Sequence, residues 1–106
     1  MELRGLGASP GRAEGRVKVV LSFEDFGKFE EGDVLVTRST DPSYVIIMGK
    51  AAAVVTELGG ICSHAAIVSR ELGIPCVVGV EGATEVLKDG MRVLVDGDEG
   101  RVQILD

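Results

Sequence analysis

The sequence predicts a single α/β domain over residues 1–106, built of mixed strands with short helices. Three observations carry this expectation. A length of 106 residues fits one domain, since domains typically run ~100–150 residues. Apolar residues make up 45% of the chain and charged residues 26%, a balance that forms a core rather than a disordered polymer. Short β-branched runs alternate with stretches of helical character, and aromatics are few: three Phe, one Tyr and no Trp. The core must then be Val, Ile, Leu and Ala, which suits sheets packed under small helices.

Residues 1–13 are rich in Gly and read as a short edge segment with a turn at Ser9-Pro10-Gly11. Residues 16–21 begin with alternation and end apolar, a strand. Phe23, Phe26 and Phe29 recur at spacing three within an acidic stretch, which suggests one or two helical turns with an aromatic inner face packed on the core. After a turn at Gly32-Asp33, residues 34–37 are the next strand. Asp41-Pro42 supplies a helix start, an N-cap acid followed by proline in the first turn, and Gly49 is a suitable stop. Residues 51–56 are short, apolar and β-branched at the end, a buried strand. A glycine loop follows, then a helix from about Ser63 to Leu72 closed by Gly73, with Pro75 beyond it where no helix continues. Residues 76–79 are another buried strand, and residues 81–88 one or two helical turns capped by Thr84. Residues 91–95 and 101–105 form a closing hairpin whose loop is too long for a two-residue turn.

A formal net charge of −6 argues against a nucleic-acid or anionic-membrane surface, and the scarcity of aromatics offers little for stacking bases. No apolar run is long enough to span a bilayer, and the N-terminus has no apolar secretory core. A cytoplasmic protein is the expectation. Cys62 and Cys76, with one histidine in the chain, fall short of a structural zinc set and are expected as free thiols, Cys62 in the glycine loop and Cys76 in a strand core.

That histidine, His64, stands where the Gly59-Gly60 pair gives way to a helix. The glycines let the backbone take positive φ and approach a ligand closely. The Ser63 hydroxyl can cap the helix while other first-turn N–H groups stay free for an anion. Residues 58–69 contain no Asp, Glu, Lys or Arg, so a phosphate-bearing partner meets no repulsion there. A histidine side chain can act as a nitrogen nucleophile near pH 7, and a phosphate on it would gain ~0.3–2 kcal/mol from the helix N-terminus. On the residues alone, a capping or packing histidine is the plainer alternative.

The run Gly-Gly-x-x-Ser-His-Ala-Ala-Ile-Val-x-Arg-Glu-Leu-Gly-Ile-Pro-x-Val-Val-Gly at positions 59–79 resembles the mobile phosphohistidine domain of phosphoenolpyruvate-utilising enzymes. That family includes phosphoenolpyruvate synthase, pyruvate phosphate dikinase and enzyme I of the sugar phosphotransferase system. Residues 5–15, Ser39-Thr40-Asp41-Pro42 and residues 89–100 are similar to its entry segment, its loop before the first helix and its closing hairpin. The resemblance implies a swivelling β/β/α domain whose histidine shuttles phosphoryl groups between an ATP-binding (ATP-grasp-like) domain and a barrel domain that binds phosphoenolpyruvate or pyruvate. His64 matches the phosphorylated histidine, with Gly59, Gly60, Cys62 and Ser63 around the phosphate. Mg²⁺ and ATP are expected on the partner domains, since this chain has neither a phosphate-binding Walker loop nor a carboxylate cluster of metal spacing. Arg70 matches the family's helix arginine, but six residues on it lies off the His64 face, and a solvated pair with Glu71 is the expected role. Many members have Thr where this chain has Cys62. A thiol is the weaker hydrogen-bonding group, and Ser43 at the first helix is the candidate to supply the missing hydroxyl. The alternative function is a non-catalytic structural or regulatory module, like the extra C-terminal domain of some bacterial pyruvate kinases.

Overall fold

The computed structural model describes all residues from Met1 to Asp106. In chain order the strands are β1 (Glu2–Arg4), β2 (Leu6–Ser9), β3 (Arg12–Val19), β4 (Val34–Thr37), β5 (Ala53–Thr56), β6 (Cys76–Val78), β7 (Arg92–Asp96) and β8 (Arg101–Ile104). Three short helices are α1 (Val45–Met48), α2 (His64–Leu72) and α3 (Ala83–Val86). Phe23–Lys28 and Pro42–Tyr44 wind as 3-10 turns, the second running directly into α1. No helix is long and apolar enough to cross a membrane.

All eight strands form one hydrogen-bonded order, β1-β8-β7-β3-β4-β5-β6-β2. The long strand β3 is shared between two differently built halves. Its Arg12–Arg16 part pairs antiparallel with β7, and its Val17–Val19 part pairs parallel with β4. Beyond it, β4, β5 and β6 are mutually parallel, with β2 antiparallel at the edge.

The parallel strands are covered on both faces, which is why they read as unbroken apolar runs rather than alternating ones. Val34, Val36, Ala53, Val55 and Val77 pack with Val93, Val95 and Val102 of the antiparallel half. Their neighbours in sequence, Leu35, Val54, Cys76 and Val78, pack under Tyr44, Ile47, Met48, Ala65 and Ala66. A period of two thus feeds two separate cores, and the layers run sheet, sheet, helix. This is the β/β/α arrangement that the family resemblance implies.

Four local expectations change. The N-terminal edge segment is two strands, because β1 pairs with β8 and β2 pairs with β6. The strand expected from Arg16 begins at Arg12. Its first half alternates exposed and half-buried residues, a pattern stabilised by β7 rather than by burial. The aromatic face is split: Phe29 is buried and Phe26 meets Tyr44 edge-on at 4.9 Å, but Phe23 is 76% exposed. The turn ends at Lys28, so Phe29 enters the core from extended backbone and the spacing of three does not align all three rings. Finally, Thr84 does not cap α3 locally. Gly82 holds that position, and the Thr84 N–H and hydroxyl donate to the Glu57 carboxylate at 2.8 and 2.6 Å. A carboxylate from the loop after β5 therefore supplies the acceptor that the helix start needs, and these bonds, the hydroxyl's first, hold Glu57 below its usual pKa.

Candidate functional site

The loops that follow β4 and β5 lie side by side at the carboxyl ends of adjacent parallel strands, the ordinary location for a site in an α/β sheet. Glu57 N–H donates to the Thr37 carbonyl at 3.1 Å and Leu58 N–H to the Arg38 carbonyl at 2.9 Å, so pairing continues past the strands and ties the loops together. One loop delivers Thr40 and Asp41 into the 3-10 turn before α1. The other delivers Gly59 to Ser63 into α2.

Local chemistry accounts for the second loop. Gly59 has φ +103°, and a Cβ on it would sit 2.9 Å from the Ser63 Cβ. Gly60 has ordinary φ, so only one glycine of the pair supplies the left-handed turn. Ser63 is the N-cap of α2, its Oγ 3.4 Å from the Ala66 N–H, and the helix ends at Gly73 as the sequence indicates. His64 is the first helical residue and is half-buried.

The ring is held by a residue that sequence reasoning did not single out. Thr40 Oγ1 lies 2.7 Å from His64 Nδ1. With the proton on Nδ1 the hydroxyl oxygen accepts it, and Nε2 keeps its lone pair open to a ligand. Thr40 lies within Ser39-Thr40-Asp41-Pro42, the stretch matched to the family, but a contact between residues 24 apart leaves no periodic mark. Ser43 is not brought to the ring. Its hydroxyl and N–H donate to Asp41 Oδ1 at 2.6 and 2.8 Å, because Asp41 is the nearer acceptor at the helix start. These bonds, the hydroxyl's first, lower the Asp41 pKa, with a smaller contribution from the charge of His64.

In the loop and first turn that carry His64, the backbone N–H groups of Gly59, Gly60, Ile61, Cys62, His64 and Ala65 donate to no group of the protein, whereas Ser63 N–H donates to the Gly60 carbonyl at 3.1 Å. With the helix dipole, this is a concentration of donors suited to an anion. Leu58 and Ile61 project into solvent, 62% and 53% exposed, and Ile67 is exposed one turn on along α2. The site therefore has polar donors beside exposed apolar side chains, with Asp41 and Arg70 as the charged groups nearest it. Cys62 is an exposed free thiol in the loop, whereas Cys76 is buried in β6, where burial pushes its thiol up to about 11.

Arg70 departs from its expected role. It makes no pair with Glu71; its guanidinium donates to the Ala8 carbonyl of β2 at 2.7 Å and to the Ile61 carbonyl of the glycine loop at 2.8 Å. Lying off the His64 face is what lets it reach back past the helix start. No three His, Cys, Asp or Glu side chains converge to hold a metal ion.

A family model described as "PEP-utilising enzyme, mobile domain" matches residues 29–100. A probable phosphoenolpyruvate synthase of Archaeoglobus fulgidus is 61% identical over 100 residues, which is 94% of this chain but 13% of the relative. The chain thus spans a small part of the length of such relatives. Among solved structures, Thermococcus kodakaraensis aconitase X is similar over 100% of this chain and 99% of its own, with TM-score 0.74 and 26% identity. An Enzyme I structure is similar over 71% of this chain and 31% of its own, with TM-score 0.62 and 39% identity. The matched residues include the whole glycine loop, His64, Thr40 and α2, and the chain belongs to the family of mobile domains of PEP-utilising enzymes.

Proposed function

We propose that this chain is a phosphoryl carrier, transiently phosphorylated on His64 Nε2. The observation that supports this most directly is the Thr40 contact to Nδ1, which leaves Nε2 as the ring nitrogen without a hydrogen-bond partner. In the forward step the Nε2 lone pair attacks the donor phosphorus. The bond from phosphorus to the donor's leaving oxygen breaks, and that oxygen departs with the electron pair. The ring gains positive charge as the N–P bond forms, and Thr40 Oγ1 keeps accepting from the Nδ1 proton. The transferred group brings negative charge, which the N–H groups before and within the first turn of α2 meet without reorganising. Delivery is the reverse displacement by an acceptor.

Such transfer depends on positioning and charge neutralisation. In this reading, ATP and Mg²⁺ are held by an ATP-binding, ATP-grasp-like partner domain. Phosphoenolpyruvate or pyruvate is held by a barrel-shaped partner domain, and the carrier swivels between the two. Leu58, Ile61 and Ile67 offer both partners an apolar contact surface without charge repulsion.

The test is to incubate the protein with phosphoenolpyruvate or ATP and the matching partner domain, and to look for acid-labile, alkali-stable phosphate by ³¹P NMR. The wild type is expected to take one phosphate and His64→Ala none. An uncharged wild type, under conditions that charge a working phosphoenolpyruvate synthase, rejects the proposal. It would favour the second reading, a structural or regulatory module; the whole-chain likeness to aconitase X bears on it only in that the fold also occurs outside proteins named for phosphoenolpyruvate.

A further inference from the structure

Helix α2 starts at His64 behind its Ser63 cap, and the Ile61 carbonyl just before that cap is held by a residue nine positions on. In a continuing α-helix, Ala65 N–H would donate to the carbonyl four residues back, that of Ile61. That bond is absent, and the Ile61 carbonyl instead accepts from the Arg70 guanidinium at 2.8 Å. The other terminal nitrogen of Arg70 is fixed on the Ala8 carbonyl of β2 at 2.7 Å. Arg70 thus joins three elements, the glycine loop, α2 and β2, and its planar fork sets their separation.

We infer that Arg70 is a positioning residue for phosphoryl uptake: by occupying the Ile61 carbonyl it stops α2 from winding back into the loop and keeps the Ala65 N–H free for the phosphate on His64. This deepens the carrier reading and rests on it. Arg70 makes no hydrogen bond to the ring. It acts through one carbonyl and one amide. A neutral side chain at position 70 releases the carbonyl, and Ala65 N–H, the donor that one further helical residue at Ser63 would turn toward it, can then take it, so the anion site loses a donor as the helix gains a bond.

The test uses the ¹⁵N-labelled chain with Arg70→Gln, Arg70→Lys and the adjacent exposed Glu71→Gln as control. Potassium phosphoramidate serves as the donor and needs no partner domain. Nε2 attacks its phosphorus, the P–N bond of the reagent breaks, and ammonia leaves with a proton. Arg70→Gln is expected to be phosphorylated about tenfold more slowly, the scale of one hydrogen bond to a charged group. Arg70→Lys, which can still reach one carbonyl, is expected in between, and Glu71→Gln at the wild-type rate. Amide hydrogen exchange separates this role from simple support of the fold. Ala65 N–H is expected to exchange as an unbonded amide in the wild type and several-fold more slowly in Arg70→Gln. Should Arg70→Gln fail to fold, Arg70→Lys and the wild-type exchange rate decide the matter. A protected Ala65 amide in the unphosphorylated wild type overturns the inference, as does folded Arg70→Gln or Arg70→Lys charging at the wild-type rate. A wild type that takes no phosphate at all while its Ala65 amide behaves as expected counts against the carrier reading, not against the control of this amide by Arg70.

Discussion

At the scale of single residues, the proposed carrier histidine meets one hydroxyl, that of Thr40 on Nδ1, and its Nε2 has no partner. Thr40→Val keeps the shape of the side chain and removes the only group shown on Nδ1. The ring then loses the acceptor for its Nδ1 proton at the moment it becomes positive. Hydrogen bonds to charged groups are worth ~1.5–3 kcal/mol, so uptake of phosphate by Thr40→Val is expected to slow about 10- to 100-fold. Rapid-quench measurement of phosphohistidine checks the rate. ¹⁵N chemical shifts of the ring check the cause, because the Nδ1–H tautomer should fall in population. A rate equal to wild type would remove Thr40 from the mechanism. The two thiols give a second prediction at this scale. Cys62 is exposed in the loop, whereas burial raises Cys76 to about 11, and reactivity follows thiolate character and access. One thiol per folded chain should react quickly with a disulfide reagent, and Cys62→Ser should abolish that fast phase. Two equal phases would mean that β6 opens on the time scale of the reaction.

At the scale of elements, α2 and its loop were the most legible part of the chain. Its signals are local: Ser63 at the cap, Gly73 at the stop and Pro75 just beyond. The strands β4, β5 and β6 were legible for a similar reason, since burial on two faces leaves an unbroken apolar run. What escaped were contacts made at a distance. Thr40 meets His64 across 24 residues and Arg70 meets Ala8 across 62, and neither spacing has a helical or strand period. The position of Thr84 suggests a local cap, whereas its partner is a carboxylate 27 residues away. The loop itself can be tested through Gly59. Alanine there must hold φ +103° and bring its Cβ to 2.9 Å from that of Ser63. Gly59→Ala is expected to cost ~1–3 kcal/mol in chemical denaturation. It should also slow phosphoryl uptake, because relief of that contact displaces the helix cap. Unchanged stability would show that the loop has a second conformation of equal energy.

At the scale of the whole molecule, the two halves of the sheet are closed by a contact between β2 and the β7–β8 hairpin. A Cβ on Gly97 would lie 1.8 Å from the Ser9 carbonyl oxygen, so β2 and the hairpin backbone touch without room for a side chain. The layering was readable from alternating valines, but this closure was not, because glycine in a hairpin loop has many plainer uses. Its polar centre is Asp96, fully buried at the end of β7. One carboxylate oxygen accepts from the Asp98 and Glu99 N–H groups, both at 3.0 Å, and the other faces Arg12 at 3.1 Å and Arg101 at 3.3 Å. The Glu99 N–H bond is the largest of the effects that hold Asp96 below its ordinary pKa of 3.8, with the charge of Arg12 adding to it. The linkage has a definite sign. A carboxylate whose folded pKa is depressed gives its full stabilisation above the unfolded value, and loses it as pH falls toward and through the folded one. The melting temperature should therefore change little from pH 7 to pH 5 on account of Asp96 and fall steeply below about pH 4. Asp96→Asn keeps the size of the side chain but cannot accept on both oxygens or pair with either arginine. It should melt several degrees lower at pH 7 and show a shallower decline below pH 4, as the titrating group is gone. Calorimetry across that range separates the outcomes. A variant that matches wild type at pH 7 and declines in parallel below pH 4 would place the acid sensitivity elsewhere, with Asp89 next in order. Its carboxylate accepts from the Val19 N–H at 2.7 Å and from Lys28 at 2.9 Å, and its pKa is lowered although burial opposes the shift.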